Sequence, residues 1–288
     1  MERKVGGALG RRPRFLNITP GGRGPEAPPT LPKSLVLAAH GSRCGGAADA
    51  LERIAGRFQQ GDMFQQILTS YHQGQPAFGE VPELVSGSSV VVVPVFLAEG
   101  YYSKKVLPRE LLRAPRSRSI DIWLTPVVGC DFRLRSTLLK RVRRRVRRLG
   151  WNPERTAVVV LGHGTPRSRT SSRTTCEVAE FIRREGPCKT VHEAFLDDSP
   201  TPREALQGTD ADHCLVLPFL FGSGDHAGEL AQLFGLDGPS GCDSAEIAGR
   251  DSKDREYVID RPVGKDPVLV EIIDDLVQSL RSWKRLDS

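Results

Sequence analysis

The sequence predicts an α/β protein of two tandem lobes, each a parallel sheet of about four strands with helices on both faces. Three observations lead there. Apolar runs of strand length alternate with stretches of helical period along most of the chain, and strands that are apolar throughout are those covered on both faces of a parallel sheet. Landmarks of the first half return in the second at a nearly constant offset, the mark of an internal duplication. The length, 288 residues, accommodates two domains of roughly 120 residues each, with one large domain as the alternative.

The elements follow in order. Residues 1–33 are rich in Gly, Pro and Arg without an apolar stretch of the kind a secretory signal needs, and read as a disordered basic tail. The first lobe, 34–150, contains strands at about Leu35–Ala39, Gln66–Tyr71, Val90–Phe96 and Ile120–Pro126. The second, 151–288, contains strands at about Ala157–Leu161, Thr190–Phe195, His213–Phe219 and Tyr257–Arg261, and carries an extra Gly- and Asp-rich loop from about Asp237 to Glu256. The boundary falls where a basic helix ends in Leu149-Gly150 and Trp151-Asn152-Pro153 restarts the chain.

The duplication rests on matched landmarks. An apolar run ending in His40-Gly41-Ser42 corresponds to one ending in His163-Gly164-Thr165, at an offset of 123 residues. The run from Val90 through Pro94 to Gly100 corresponds to that from Cys214 through Pro218 to Gly224, with the prolines 124 residues apart. Thr69 to Pro76 corresponds loosely to Glu193 to Pro200, and Thr125-Pro126 with Gly129 to Arg261-Pro262 with Gly264.

Composition excludes several classes. No apolar run approaches the ~20 residues of a membrane helix, so a soluble, cytoplasmic protein is expected. Six cysteines are scattered without a C-x-x-C pair, which suggests reduced thiols rather than a zinc knuckle or iron–sulfur cluster. The net charge of +6 is concentrated in Lys140 to Arg148. There Leu139, Val142, Val146 and Leu149 recur at helical spacing, so the apolar face is expected to be buried and the arginines to face out. That stripe is the basis for a nucleic-acid-binding alternative; the low aromatic content of 6% and the absence of a stacking motif speak against it, and no nucleic acid is expected as partner.

Ligands of open parallel sheets bind beyond the carboxyl ends of the strands. His40 and His163 stand at such ends, and so do the segments after Phe96 and Phe219. A lone histidine there commonly caps or packs; one that recurs before Gly and a hydroxyl residue points to chemistry. His163 and His226, each following a different strand, can face one crevice and offer two neutral imidazoles to a borderline metal such as cobalt, iron or nickel, with Glu229 adding a carboxylate or moving a proton. His72, His192 and His213 lie in or beside strands without recurring as a pair and read as structural.

In combination and order, the strand ending in His40-Gly41-Ser42-Arg43, the run Val90 to Tyr101, the Leu107-Pro108 helix and Thr125-Pro126 with Gly129 resemble the CbiX-type sirohydrochlorin chelatases, from Ser34 to the C-terminus as two tandem units. The resemblance implies two chelatase-like lobes facing across a cleft and insertion of a divalent metal, cobalt or iron, into sirohydrochlorin in cobalamin or siroheme synthesis. It implies a divalent metal as substrate, no permanently bound cofactor, and a monomer, with a dimer as the alternative. By that resemblance the first signature histidine is His40 and His163, and the second is His226 in lobe two but Tyr102 in lobe one. A phenol binds such metals well only after losing a proton that it holds far more tightly than an imidazolium does. Catalysis is therefore expected from His163, His226, His40 and Glu229, with metal on His163 and His226. Arg43, Tyr102, Lys104 and Arg167, together with Lys105, are the expected anchors for a polycarboxylate substrate. A relative that binds metal or tetrapyrrole without catalysis is the alternative that Tyr102 motivates.

Overall fold

The computed structural model describes residues 30–41, 46–164, 169–207, 209–222, 234, 247–251 and 254–287. Most of the expected tail lies outside them; at its end Pro32 is buried and Leu31 packs partly against the core.

Lobe one is built on β1 (Ser34–Gly41), β2 (Gln66–Gln73), β3 (Ser89–Pro94) and β4 (Asp121–Leu124), and lobe two on β5 (Thr156–Gly162), β6 (Thr190–Phe195), β7 (His213–Pro218) and β9 (Glu256–Ile259). Valines 90 to 93 and 158 to 160 are fully buried. Both alternating sets of side chains in these strands meet helices, which is why the runs are continuously apolar. The order in lobe one is β4-β3-β1-β2, all parallel, and lobe two repeats it as β9-β7-β5-β6.

Each sheet gains a fifth, antiparallel strand beyond the four that the apolar runs predict. In lobe two it is β8 (Ile247–Arg250), paired with β9 from within the expected Gly- and Asp-rich loop. In lobe one it is β10 (Lys284–Arg285), at the far end of the chain, paired with β4. Two exposed cations in an edge strand leave no apolar alternation to read.

The helices are α1 (Gly46–Gln59), α2 (Val81–Leu84), α3 (Leu107–Leu111), α4 (Phe132–Leu149), α5 (Arg169–Glu185), α6 (Pro202–Ala205) and α7 (Val268–Gln278). Between the two sheets lies one shared core: Leu51 and Ile54 of α1, Leu138 and Val142 of α4, Val178 and Ile182 of α5, and Ile272 and Val277 of α7 pack with strand residues of both lobes. The outer faces have separate cores, with Val81, Leu107 and Leu111 on lobe one and Ala205 and Phe234 on lobe two.

The closing helices reach across. The α7 helix lies against β3 and α1 of lobe one, and Trp283, 2% exposed, anchors the segment leading into β10. The α4 helix lies against α5 and reaches β9's end through its cations. Arg141 Nε lies 2.9 Å from Asp260 Oδ2 and Arg145 Nη2 lies 3.1 Å from Oδ1, with all three side chains at least 93% buried. The expectation that the α4 arginines face solvent is thus corrected for these two: a buried carboxylate 119 positions from Arg141 makes their burial possible. Lys140, Arg143, Arg144, Arg147 and Arg148 are exposed as expected.

Candidate functional site

The two signature histidines occupy matching places. His40 is the penultimate residue of β1, and His163 follows β5 directly. Each precedes a glycine in the left-handed region, Gly41 at φ +76° and Gly164 at φ +71°. That backbone suits glycine, and crowding enforces it: a Cβ on Gly41 would lie 2.1 Å from the Gln73 carbonyl oxygen, and one on Gly164 would lie 2.7 Å from Asp198 Cβ. The chain therefore turns off the strand at one fixed point and leaves the imidazole at its lip.

The neighbouring strand end holds the turn in both lobes. The Tyr71 amide donates to the Pro76 carbonyl at 2.9 Å, and the Phe195 amide to that of Pro200 at 2.9 Å. In lobe two the amides of Leu196 and Asp197 also donate to the His163 carbonyl, at 3.1 and 2.9 Å.

Lobe one gathers aromatic rings around His40. Register places Ala39 opposite Tyr71 and Gly41 opposite Gln73, which brings His72 beside His40; the rings stack at 5.2 Å and 30°. Tyr102 meets His40 edge-on at 4.5 Å and lies 4.8 Å from His72, and Tyr101 meets Tyr102 at 5.6 Å. Tyr102 opens a single π-helical turn, Tyr102–Val106, directly before α3; Ser103 ties its start by accepting from the Gly100 amide at 2.9 Å. Such turns widen a helix and re-aim side chains at functional sites.

His40 is partly buried, and its Nδ1 is enclosed without a hydrogen-bond partner among the described residues. Burial, then repulsion from His72 and from His163, pulls its pKa down to about 4. It is a neutral imidazole at neutral pH.

His163 is 63% exposed and its Nδ1 lies 3.0 Å from Asp197 Oδ2. A hydrogen on Nδ1 directed at that carboxylate leaves the Nε2 lone pair for a metal, the usual arrangement behind a ligating histidine. Asp197 was missing from the expected site. Its lobe-one counterpart is Gln73, so repetition does not reveal it; the signal was its place at the carboxyl end of the strand beside β5.

His226, Glu229, Arg43 and Arg167 lie outside the described residues. The expected pairing of His163 with His226 falls there too. Lys104 is exposed and its ammonium is 2.7 Å from Glu99, and Lys105 is exposed. His213 stacks on Trp151 at 4.7 Å and His192 sits within β6, in keeping with structural roles. His72 departs from that reading, because it joins the His40 cluster. Two open polar clefts of about 380 and 560 Å³ lie at the opposite, amino ends of the sheets, the larger lined in part by His213, away from His40, His72 and His163.

The CbiX family model matches the chain twice, over residues 34–145 and 157–280. A relative from Halobacterium salinarum, named probable sirohydrochlorin cobaltochelatase, is 25% identical over 219 residues, which are 68% of this chain and 74% of that one. Among solved structures, a multi-domain Deinococcus radiodurans protein described as similar to chelatases superposes with a TM-score of 0.64 at 24% identity over 89% of this chain. This chain spans 57% of that protein's length. The sirohydrochlorin chelatase SirB of Bacillus subtilis subspecies spizizenii, solved in complex with cobalt, superposes with a TM-score of 0.64 at 18% identity, covering 87% of this chain and 96% of that one. Both likenesses establish the fold.

Proposed function

The chain belongs to the CbiX family, whose unit it carries twice in tandem, and on that premise we propose that it inserts a divalent metal, cobalt or iron, into sirohydrochlorin. The observation that carries the reading is the equivalent placement of the signature histidines: His40 and His163 close matching strands of the two lobes, each before a left-handed glycine, and a carboxylate stands 3.0 Å behind the second.

Insertion exchanges the metal dication for two pyrrole protons. The site must therefore hold a metal with neutral donors and pass two protons on. His163 and His226 are the proposed metal-holding pair, with Asp197 fixing the His163 tautomer. His40, kept neutral, offers a lone pair from the facing lobe. Glu229 and the Asp197 carboxylate are the proposed proton acceptors, and Asp197, 62% exposed, can release to solvent. Arg43, Tyr102, Lys104 and Arg167 are proposed to hold the substrate, the cations by pairing with its carboxylates. The protein is proposed to work in the cytoplasm as a monomer, since one chain supplies two facing lobes, divided at 34–150 and 151–288.

The test is anaerobic incubation of the purified protein with sirohydrochlorin and either Co²⁺ or Fe²⁺, followed by the absorption of the macrocycle. Insertion faster than the protein-free control, and its loss in His163→Ala, is the expected result. A wild-type rate equal to the control would overturn the reading and favour a non-catalytic binder.

A further inference from the structure

The ring cluster of lobe one has no counterpart in the described part of lobe two. His72 corresponds by the repeat offset to Leu196, and Tyr102 to His226. The rings come from three separate segments at the carboxyl edge of one sheet: His40 from β1, His72 from β2, and Tyr101 and Tyr102 from the turn after β3. They touch in series, at centroid separations of 5.2, 4.8 and 5.6 Å.

This cluster is open. Tyr101 is 56% and Tyr102 37% exposed, and His72 is exposed as well. Among the described residues only five large hydrophobic side chains are exposed, and these two tyrosines are the adjacent pair. An uncovered aromatic surface beside a polar site marks a place where something flat and apolar is taken out of water. Two imidazoles in the cluster raise the alternative of a second metal site. Yet no group of three or more His, Cys, Asp or Glu side chains able to hold a metal gathers among the described residues.

We propose that His72, Tyr101 and Tyr102, with His40 behind them, form an aromatic wall on lobe one against which one face of the tetrapyrrole lies while the metal enters from the His163 side. The inference rests on the insertion reading above and extends it, giving the two lobes different tasks. Lobe two presents the metal, and lobe one holds the conjugated ring. Rings spaced 4.5–5.6 Å apart offer both faces and edges, which suits offset and edge-on packing against a macrocycle. The exposed Lys105 on the same turn is a cation suited to pair with a peripheral carboxylate of that macrocycle.

The test measures two affinities separately: that of metal-free sirohydrochlorin, by quenching of its fluorescence under nitrogen, and that of Co²⁺, by equilibrium dialysis. His72→Ala and Tyr101→Ala are each expected to weaken sirohydrochlorin binding about tenfold, the range of one lost stacking contact. His72→Phe and Tyr101→Phe keep a ring and are expected to stay within about twofold of wild type. The amount and affinity of bound Co²⁺ should be the same in all four. Unchanged sirohydrochlorin affinity in both alanine variants, in a protein that still inserts metal, overturns the wall and leaves the insertion reading standing. A His72→Phe variant as impaired as His72→Ala, with less Co²⁺ bound, overturns it in favour of a metal ligand. Failure of the wild type to bind sirohydrochlorin overturns both.

Discussion

The Nδ1 atom of His163 lies 3.0 Å from a carboxylate oxygen of Asp197, and the two side chains are exposed to nearly the same degree, 63% and 62%. Because the contact is open to water, its value as an isolated ion pair is small. Its consequence is orientation. A carboxylate accepting from Nδ1 fixes which ring nitrogen keeps its lone pair and which way the ring faces.

Asp197→Ala should therefore weaken Co²⁺ binding by about 10- to 100-fold while leaving the melting temperature within about a degree of wild type. Asp197→Asn keeps an acceptor and should lose less. Calorimetric titration of Co²⁺ decides it: equal affinities in Asp197→Ala and wild type rule out an orienting role.

The division of labour between lobes predicts opposite kinetic signatures at equivalent positions. His226→Ala removes a proposed metal ligand and is expected to lower kcat by about 10²-fold or more. Tyr102→Ala removes a surface proposed to hold substrate, so it is expected to raise KM for sirohydrochlorin with kcat little changed. Steady-state insertion of cobalt measures both. Full activity in His226→Ala alongside an inactive Tyr102→Ala would reverse the assignment of the lobes.

How far the sequence reveals this arrangement depends on whether a feature repeats. The strands β3 and β7 are legible because their valines are buried on both faces, and His40 and His163 because each closes such a run before a glycine. His72 and Asp197 stand at equivalent strand ends, but the duplicated chain places Leu196 opposite the first and Gln73 opposite the second, so neither shows as a pair. Sheet register, which brings β2's end beside His40, is what recovers them. Arg141 and Arg145 mislead for another reason. Helical period is read from apolar residues alone, and the carboxylate that lets these cations be buried lies in the other lobe. The strand β10 is two residues of Lys-Arg that no pattern announces.

Gly164 connects this backbone geometry to the site. Its φ of +71° and a Cβ position 2.7 Å from Asp198 Cβ and 2.8 Å from Phe195 Cβ leave no room for a side chain. Gly164→Ala is expected to cost more than about 1 kcal/mol in unfolding free energy, and to lower Co²⁺ affinity as well, since relief of the clash displaces His163. Urea denaturation and Co²⁺ titration test the two halves, and an unchanged affinity in a destabilised variant would separate the turn from the proposed metal site.

Asp260 should set much of the acid limit of stability. Burial alone would push its carboxyl up, but Arg141, the Arg261 amide and Arg145 outweigh that and hold it below the usual carboxylate range. A carboxyl whose folded pKa lies below its unfolded value, about 3.9, contributes stability that is present above that value and is lost as pH falls through the folded pKa. Replacing it also takes from Arg141 and Arg145 the buried carboxylate they share, while Arg141 keeps Asp266 at 3.7 Å, a loss of about 3 kcal/mol at neutral pH. Asp260→Asn should therefore be far less stable than wild type at pH 7, and the gap should narrow as pH falls below about 4, because the wild-type carboxylate is being protonated. Urea midpoints of both proteins from pH 7 to pH 3 measure this. A gap that stays constant across that range would mean that the charge on Asp260 does not hold α4 to lobe two.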